Sequence, residues 1–257
     1  MTNNNPVGFF DSGVGGISIW MEFHNLLPNE SSIYLADSKN APYGQKTKNE
    51  IIALSKKNTE FLLRQNCKLI VVACNTATTN AIAELRDEYD ISFIGIEPAI
   101  KPAALGSQTH TIGVLATKGT LSSELFSKAV ETYSNTKIIE QVGFDLVRLI
   151  EQGQMHSERM SELLYSYMEP MIRENVDYLV LGCTHYPFLI PQIKKLLPDH
   201  VRIIDSGEAV AKRTYRILES VGFSDNPKPI NSFYTNGNPD VLQQLIGDSF
   251  KAEIRDF

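Results

Sequence analysis

Long hydrophobic runs, disulfide patterns and an excess of basic charge are all missing from this sequence. The longest aliphatic runs, Leu69–Ala73 and Tyr178–Leu181, fall far short of the ~18 residues that a membrane span requires. Three cysteines in 257 residues, with no repeated C-x-x-C, fit a reducing cytoplasm better than a disulfide framework. The polar segment Met1–Pro6 has no signal-peptide apolar region, so we expect a cytoplasmic protein with no membrane partner.

Charge is balanced, with a slight acidic excess. The chain carries 24 basic and 30 acidic side chains, a net charge of −6. It therefore lacks the basic footprint of a protein that binds nucleic acid, and no nucleic-acid partner is expected. Glutamates interrupt the one mild lysine cluster, which we interpret as a solvated helix face. The lysines are Lys46, Lys48, Lys56 and Lys57, and the glutamates are Glu50 and Glu60.

The chain alternates short apolar runs with stretches of helical periodicity. Several runs are apolar at every position, which is typical of parallel strands buried on both faces. Between two of them, Thr47 and Glu50 form a capping-box pattern that predicts a helix to Asn66, and Cys67 at its end is interpreted as a packing residue. The alternation predicts an α/β fold with ligands at the carboxyl ends of the strands. The runs are Val7–Phe10, Ile33–Ala36, Leu69–Ala73, Phe93–Ile96, Thr111–Ala116, Lys137–Val142, Tyr178–Leu181, Val201–Ile204 and Ser232–Tyr234.

Two pairs of segments repeat within the chain. Val7–Gly13 resembles Ile112–Lys118, and Leu69–Thr76 resembles Tyr178–His185, in the same order and at nearly the same separation. Chance similarity between buried strands is the alternative, but the shared order favours duplication. We therefore expect two pseudo-symmetric, parallel-sheet α/β domains with the active site in the cleft between them.

A cysteine ends each of the later repeats, in the motifs Cys74-Asn75-Thr76 and Cys183-Thr184-His185. Each cysteine follows a strand and precedes a helix, where unpaired N–H groups and the helix dipole favour a thiolate and hold a carboxylate. Two opposed thiols can remove a proton from one face of a carbon and return one on the other face. That reaction inverts a stereocentre without a cofactor.

Other interpretations of these cysteines stay open. Either one can be a small buried hydrophobe, and the two can form a disulfide. A zinc site made by Cys74, Cys183 and His185 has too few ligands with recognised spacing. A Cys-His hydrolase that uses Cys183 and His185 leaves Cys74 unexplained.

The first strand leads into a glycine-rich turn, Asp11-Ser-Gly-Val-Gly-Gly16, which has exposed N–H groups suited to an anion. A plain helix cap is the alternative for this turn, and Pro42-Tyr43-Gly44 is a second turn with the same ambiguity. Considered without the other motifs, Glu151 and His156 are interpreted as surface residues near the end of a helix that finishes close to Gly153.

Together these segments resemble the glutamate racemases of the aspartate/glutamate racemase superfamily. Five motifs match in order, with Thr78 where the family often has serine. They are Gly8-Phe-Phe-Asp-Ser-Gly-Val-Gly-Gly16, Ala36-Asp37 with Pro42-Tyr-Gly44, Ala73-Cys-Asn-Thr-Ala77, Gly95-Ile-Glu-Pro98 and Leu181-Gly-Cys-Thr-His-Tyr-Pro187.

The resemblance implies cofactor-independent interconversion of L- and D-glutamate, which supplies D-glutamate for peptidoglycan, by a homodimer with no metal. It implies that Cys74 deprotonates D-glutamate with the help of Asp11, and that Cys183 deprotonates L-glutamate with the help of His185 and Glu151. It also implies a first domain of residues 1–97 plus 209–257 and a second of residues 98–208. The substrate-binding residues that it implies are Asp11, Ser12, Tyr43, Gly44, Asn75, Thr76, Thr117, Thr184 and His185.

Several rival functions are weighed against this one. Aspartate or hydantoin racemisation would use the same chemistry. A Cys-His hydrolase predicts that Cys74→Ser keeps its activity, whereas a two-thiol racemase predicts that neither cysteine can be lost. A non-catalytic binder of acidic metabolites would bind glutamate without exchanging its α-proton.

Overall fold

The computed structural model describes residues 2–257 and contains two β-sheets in which all strands are parallel. The six-stranded sheet has the order β10-β9-β2-β1-β3-β4, and the four-stranded sheet has the order β6-β5-β7-β8. The strands are β1 (Val7–Asp11), β2 (Ser32–Ala36), β3 (Leu69–Val72), β4 (Phe93–Gly95), β5 (Thr111–Ala116), β6 (Lys137–Val142), β7 (Tyr178–Gly182), β8 (Arg202–Ile204), β9 (Asn231–Thr235) and β10 (Ala252–Ile254).

The two sheets share one topology. The order β2-β1-β3-β4 in the first corresponds strand by strand to β6-β5-β7-β8 in the second. The expected pair of pseudo-symmetric α/β units is therefore confirmed. Below, "first half" denotes residues 7–95 and 231–254, which span the six-stranded sheet, and "second half" denotes residues 111–204, which span the four-stranded one.

Helices connect the strands and cover the sheets. The predicted capping box is present at the start of α2, where the Thr47 hydroxyl accepts from the Glu50 N–H and the Glu50 carboxylate accepts from the Thr47 N–H. The helices are α1 (Ile17–Leu26), α2 (Lys48–Arg64), α3 (Asn75–Glu88), α4 (Ile100–Gly106), α5 (Lys118–Leu121), α6 (Glu124–Thr132), α7 (Leu146–Glu151), α8 (Glu158–Arg173), α9 (Ile190–Ile193), α10 (Gly207–Val221) and α11 (Pro239–Ile246).

Every residue of the central strands β1, β2, β3 and β7 is buried. Helices therefore cover both faces of these strands, as their continuous apolar runs predict. Each of the nine predicted runs overlaps a strand, whereas β10 at the edge of the first sheet was not predicted. Among residues 2–257, no helix has the length and apolar character needed to cross a bilayer.

Domain boundaries at 97/98 and 208/209 stay a prediction. The backbone passes from one sheet to the other twice, after β4 and after β8. The two linking segments are hydrogen-bonded to each other, since the Ser206 hydroxyl donates to the Glu97 carbonyl at 2.5 Å.

Candidate active site

A cavity of about 240 Å³ lies where the carboxyl ends of β1, β3 and β7 meet. Parallel strands end at the same sheet edge, so the loops that follow them converge there. The lining comes from both halves of the chain. Its residues are Ser12, Pro42, Tyr43, Gly44, Cys74, Asn75, Thr76, Thr117, Val147, Cys183, Thr184 and His185.

Cys74 lies between the end of β3 and the first turn of α3, and its side chain caps that helix. The Ala77 N–H donates to Sγ at 3.5 Å, and the thiol donates to the Ser12 hydroxyl at 3.6 Å. Burial, followed by the charge of the Asp11 carboxylate, nevertheless raises the pKa of Cys74 well above its usual range. The helix N–H favours the thiolate, as expected, but desolvation outweighs this one donor.

The Asp11 carboxylate is fully buried behind Ser12. One of its oxygens accepts from the Ser12 N–H at 2.6 Å, and the other accepts from the Gly16 N–H at 2.6 Å and the Thr184 hydroxyl at 3.3 Å. Burial raises the pKa of Asp11, while the neighbouring His185 partly offsets this. Because Thr184 belongs to the second half, Asp11 also contacts the strand end that carries the other cysteine.

Cys183, His185 and Glu151 form a chain of polar contacts. His185 Nδ1 lies 3.8 Å from Cys183 Sγ, and its Nε2 lies 2.6 Å from the Glu151 carboxylate. Burial alone would lower the pKa of His185, but its contacts with Cys183 and Glu151 raise that pKa well above the usual range. A protonated ring has one N–H for each of these two partners, the Cys183 sulfur and the Glu151 carboxylate.

Polar groups without an intramolecular partner face the cavity from the start of α3. The Asn75 side chain is buried, and neither its amide nitrogen nor its oxygen has a hydrogen-bond partner. Beside it, the Thr76 hydroxyl lies 2.8 Å from that of Thr117 and 3.3 Å from that of Thr120, so three hydroxyls bridge the two halves. A buried, unpaired amide is costly unless a ligand completes its hydrogen bonds.

Tyr43 and Gly44 also line the cavity, and Gly44 lies next to Thr117. The Tyr43 hydroxyl donates to the buried Asp37 carboxylate and accepts from the Asn58 amide at 3.2 Å. A Cβ on Gly44 would lie 2.8 Å from the Cβ of Thr117. Only glycine therefore lets this turn approach the second half so closely.

The structure gathers the predicted residues at one place. Ten of them line the cavity, and Asp11 and Glu151 lie directly behind it. The ten are Ser12, Tyr43, Gly44, Cys74, Asn75, Thr76, Thr117, Cys183, Thr184 and His185. Glu151 is only 11% exposed, which corrects its interpretation as a surface residue, whereas His156 is exposed.

Some residues at the site were not predicted as site residues. Pro42 and Val147 line the cavity, and Val14, Ser38 and Thr120 contact the predicted residues. Thr120 lies one turn from Thr117, which caps α5, so the Thr-x-x-Thr spacing is a signal that could have found it.

Neither the disulfide nor the zinc alternative finds support. Cys67, Cys74 and Cys183 are all free and buried, and Cys67 lies outside the cavity, as expected of a packing residue. Among residues 2–257, no three or more His, Cys, Asp and Glu side chains form a group that could hold a metal ion.

Comparison with known proteins places this geometry in a family. The family model described as Asp/Glu/Hydantoin racemase matches residues 19–214. A glutamate racemase of Ectopseudomonas mendocina is 43% identical over 256 residues, which cover 97% of each chain.

Two solved structures are similar over almost the whole chain. Glutamate racemase from Escherichia coli, in complex with L-glutamate and the activator UDP-MurNAc-Ala, has a TM-score of 0.86 at 31% identity and covers 97% of this chain and 98% of its own. Glutamate racemase from Francisella tularensis, in complex with D-glutamate, has a TM-score of 0.84 at 28% identity and covers 98% of both chains. With two cysteines at equivalent strand ends of a duplicated α/β fold, the chain belongs to the glutamate racemases of the Asp/Glu/Hydantoin racemase family.

Proposed function

We propose that this chain interconverts L- and D-glutamate without a cofactor, with Cys74 and Cys183 as the two acid–base groups. The observation that carries the proposal is that two cysteines from different halves line one cavity. The substrate is supported by the relatives, since the similar structures contain L-glutamate in one case and D-glutamate in another.

The two sulfurs work in opposite protonation states. The Cys183 thiolate removes the α-proton of L-glutamate, and the Cys74 thiol gives its proton to the other face of the carbanion, which yields D-glutamate. The raised pKa of Cys74 supports a protonated Cys74 in this direction of the reaction. The reverse reaction starts from a Cys74 thiolate and a Cys183 thiol.

The neighbouring groups move protons to and from each sulfur. Asp11, whose pKa burial raises, is a stronger base than an exposed aspartate and accepts the proton of Cys74 when D-glutamate is the substrate. His185, held by Glu151, plays the corresponding part for Cys183. Both pairs lie in buried surroundings, where electrostatic interactions are stronger than in water.

The α-proton of glutamate is too weakly acidic for a thiolate without further help. A turnover of ~10 s⁻¹ corresponds to a barrier of about 16 kcal/mol, so base and carbon acid can differ by at most ~12 pKa units. The carbanion must therefore be stabilised by donors on the α-carboxylate. The Asn75 amide, the Thr76 hydroxyl and the first turn of α3 are suited to this role, because the amide has no other partner.

The remaining cavity residues hold the other groups of the substrate. Thr117, Tyr43 and Gly44 face the cavity from two sides and are proposed to bind a carboxylate, while Ser12 and Thr184 are proposed to bind the polar groups on the α-carbon. His185 contacts the substrate as well as Cys183. Asp11 provides the negative charge that favours the ammonium group.

Proton NMR in D₂O tests this function directly. Purified protein is incubated with L-glutamate, D-glutamate or L-aspartate, and chiral chromatography follows each product. We expect both glutamate enantiomers to lose the α-proton signal and to reach the same mixture, with no change to aspartate. Cys74→Ser and Cys183→Ser should both fail to racemise, since each face of the carbon needs its own sulfur.

Cys67→Ala is the matched control, because this third buried cysteine lies outside the cavity, and the variant should racemise like the parent. Absence of exchange from correctly folded protein would contradict the proposal. Racemisation retained in Cys74→Ser would contradict the role proposed for that cysteine, and racemisation of aspartate would contradict the proposed specificity for glutamate.

We also propose a cellular setting and an oligomeric state. Three free, buried cysteines suit a reducing cytoplasm, and the family resemblance suggests a homodimer that supplies D-glutamate for peptidoglycan. Residues 1–97 and 209–257 are proposed to form one discontinuous domain, because all six strands of the first sheet lie within them. Sedimentation equilibrium at several concentrations tests the dimer, and a purely monomeric mass would contradict it.

A further inference from the structure

The Glu151 carboxylate receives hydrogen bonds from both halves of the chain. One oxygen accepts from His185 Nε2 and from the Val14 N–H, both at 2.6 Å. The other oxygen accepts from the Ser38 hydroxyl at 2.7 Å. Glu151 and His185 belong to the second half, whereas Val14 and Ser38 belong to the first, so two of the three donors reach Glu151 across the cleft.

Ser38 is itself held firmly. It follows Asp37, whose carboxylate accepts from the Asn236 amide at 2.5 Å, and it precedes Lys39, whose N–H donates to the Asn236 oxygen at 2.9 Å. Asn236 thus brackets Ser38 on both sides. Gly237 packs closely against it, since a Cβ there would lie 2.9 Å from the Cβ of Ser38. The hydroxyl is therefore presented from a fixed backbone.

We propose that Ser38 is a positioning residue for the Cys183 face of the reaction, because its hydroxyl fixes the Glu151 carboxylate that orients His185. The inference rests on the proposed two-cysteine function and adds a residue that contacts neither sulfur. It also means that the Cys183 side of the site is complete only when the two halves are together.

The physical basis is the number of donors that hold one carboxylate. With Ser38 present, both Glu151 oxygens are engaged, so the carboxylate cannot turn about its terminal bond without losing a hydrogen bond to a charged acceptor. Without the Ser38 hydroxyl, one Glu151 oxygen has no donor. The carboxylate can then rotate, and some of its orientations keep the hydrogen bond from the Val14 N–H but lose the one with His185 Nε2. His185 Nδ1 then spends less time directed at Cys183, while the surroundings of Cys74 are unchanged.

Primary deuterium isotope effects separate the two faces of the substrate. The equilibrium constant between enantiomers is fixed, so Ser38→Ala must lower kcat/KM equally in both directions, and we expect a fall of roughly 10-fold, as for a lost hydrogen bond to a charged group. The face-specific signal is the isotope effect. It should rise for α-deuterated L-glutamate, since proton transfer at Cys183 becomes more rate-limiting, and fall for α-deuterated D-glutamate.

Ser107→Ala is the matched control, since the Ser107 hydroxyl also donates to a carboxylate, that of Asp177, at 2.7 Å, but outside the cavity. It should leave both isotope effects at the parental values, and thermal unfolding should show that both variants are folded. Isotope effects in Ser38→Ala that match those of Ser107→Ala would overturn the inference, even though the parent racemises glutamate. A parent that does not racemise would instead overturn the proposed function.

Discussion

At the scale of single residues, burial decides the protonation of Cys74. Its sulfur receives an N–H from the first turn of α3, which favours the thiolate, but it is enclosed and lies beside the Asp11 carboxylate. Desolvation and a like charge both disfavour the thiolate. The residue therefore rests as an acid and needs a partner that accepts its proton before it can act as a base.

Replacement of Asp11 by asparagine should lower the pKa of Cys74. The amide has nearly the same shape but no charge, so the repulsion that raises the pKa of the thiol disappears, while the larger effect of burial remains. We expect the thiolate transition of Cys74 to move to lower pH. The ultraviolet absorbance of thiolate, followed during a pH titration of the substrate-free protein, measures it.

Cys74→Ser, made in the parent and in Asp11→Asn, identifies which part of each titration curve belongs to Cys74. Burial raises the pKa of Cys67 to about 12, and subtraction of the Cys74→Ser curve removes the contribution of Cys67. An unchanged or higher transition in Asp11→Asn would show that the carboxylate charge has no effect on the thiol.

At the scale of elements, the turn Tyr43–Gln45 and the helix α5 meet at the cavity. Gly44 packs against Thr117, and Gly119 in α5 approaches Gly44 and Thr76 in return. These two glycines allow backbone from the two halves to come into direct contact. The cavity is therefore narrow at this point because Gly44 and Gly119 have no side chains to hold the two halves apart.

Gly44→Ala should weaken substrate binding. The added Cβ would lie 2.8 Å from the Cβ of Thr117, so the turn must move away from the second half and carry Tyr43 with it. We expect KM for glutamate to rise roughly 10-fold, as for a displaced set of polar contacts. Steady-state kinetics in both directions measure the change.

Gly113→Ala serves as the comparison. Its new Cβ would meet the flexible Met171 side chain in the core of the second half, at 2.5 Å from the sulfur. That variant should lose thermal stability with little change in KM. An unaltered KM in Gly44→Ala would show that the turn can shift without cost to the site.

The same elements show how far sequence patterns reach. Continuous apolar runs predicted the buried strands, and the Thr47 and Glu50 pair predicted the start of α2, because both signals are local. Strand β10 was not predicted, because it is a short, largely exposed edge strand without an apolar run. Ser38 gives no local signal at all, since its partner Glu151 lies 113 residues away and a serine before a turn is common.

At the scale of the whole molecule, a buried ion pair joins distant parts of the chain at the end of the first sheet opposite the cavity. Lys68 directly precedes β3, and its ammonium group lies 2.7 Å from the Glu30 carboxylate. It also donates to the Asn3 carbonyl at 2.6 Å and the Gly222 carbonyl at 3.0 Å, while Glu30 accepts from the Ser224 N–H at 2.8 Å. The pair therefore fastens the N-terminal segment and the segment after α10 to the first half.

Lys68→Met should destabilise the fold but leave catalysis intact. It removes one charge from a pair whose side chains are only 1% and 3% exposed, and so leaves a buried carboxylate without its cation. Such a loss costs about 3–5 kcal/mol, or roughly 10 °C in melting temperature for a chain of this size. Because β3 separates Lys68 from Cys74, kcat at 25 °C should stay within about twofold of the parent, as for a distant, independent site.

The double variant Lys68→Met with Glu30→Gln is the control. Its neutral amide still accepts from the Ser224 N–H and no unpaired charge is buried, so most of the lost stability should return. Denaturant unfolding of the three proteins measures this, and equal stability of the single and double variants would mean that the buried carboxylate charge is not what destabilises the single one.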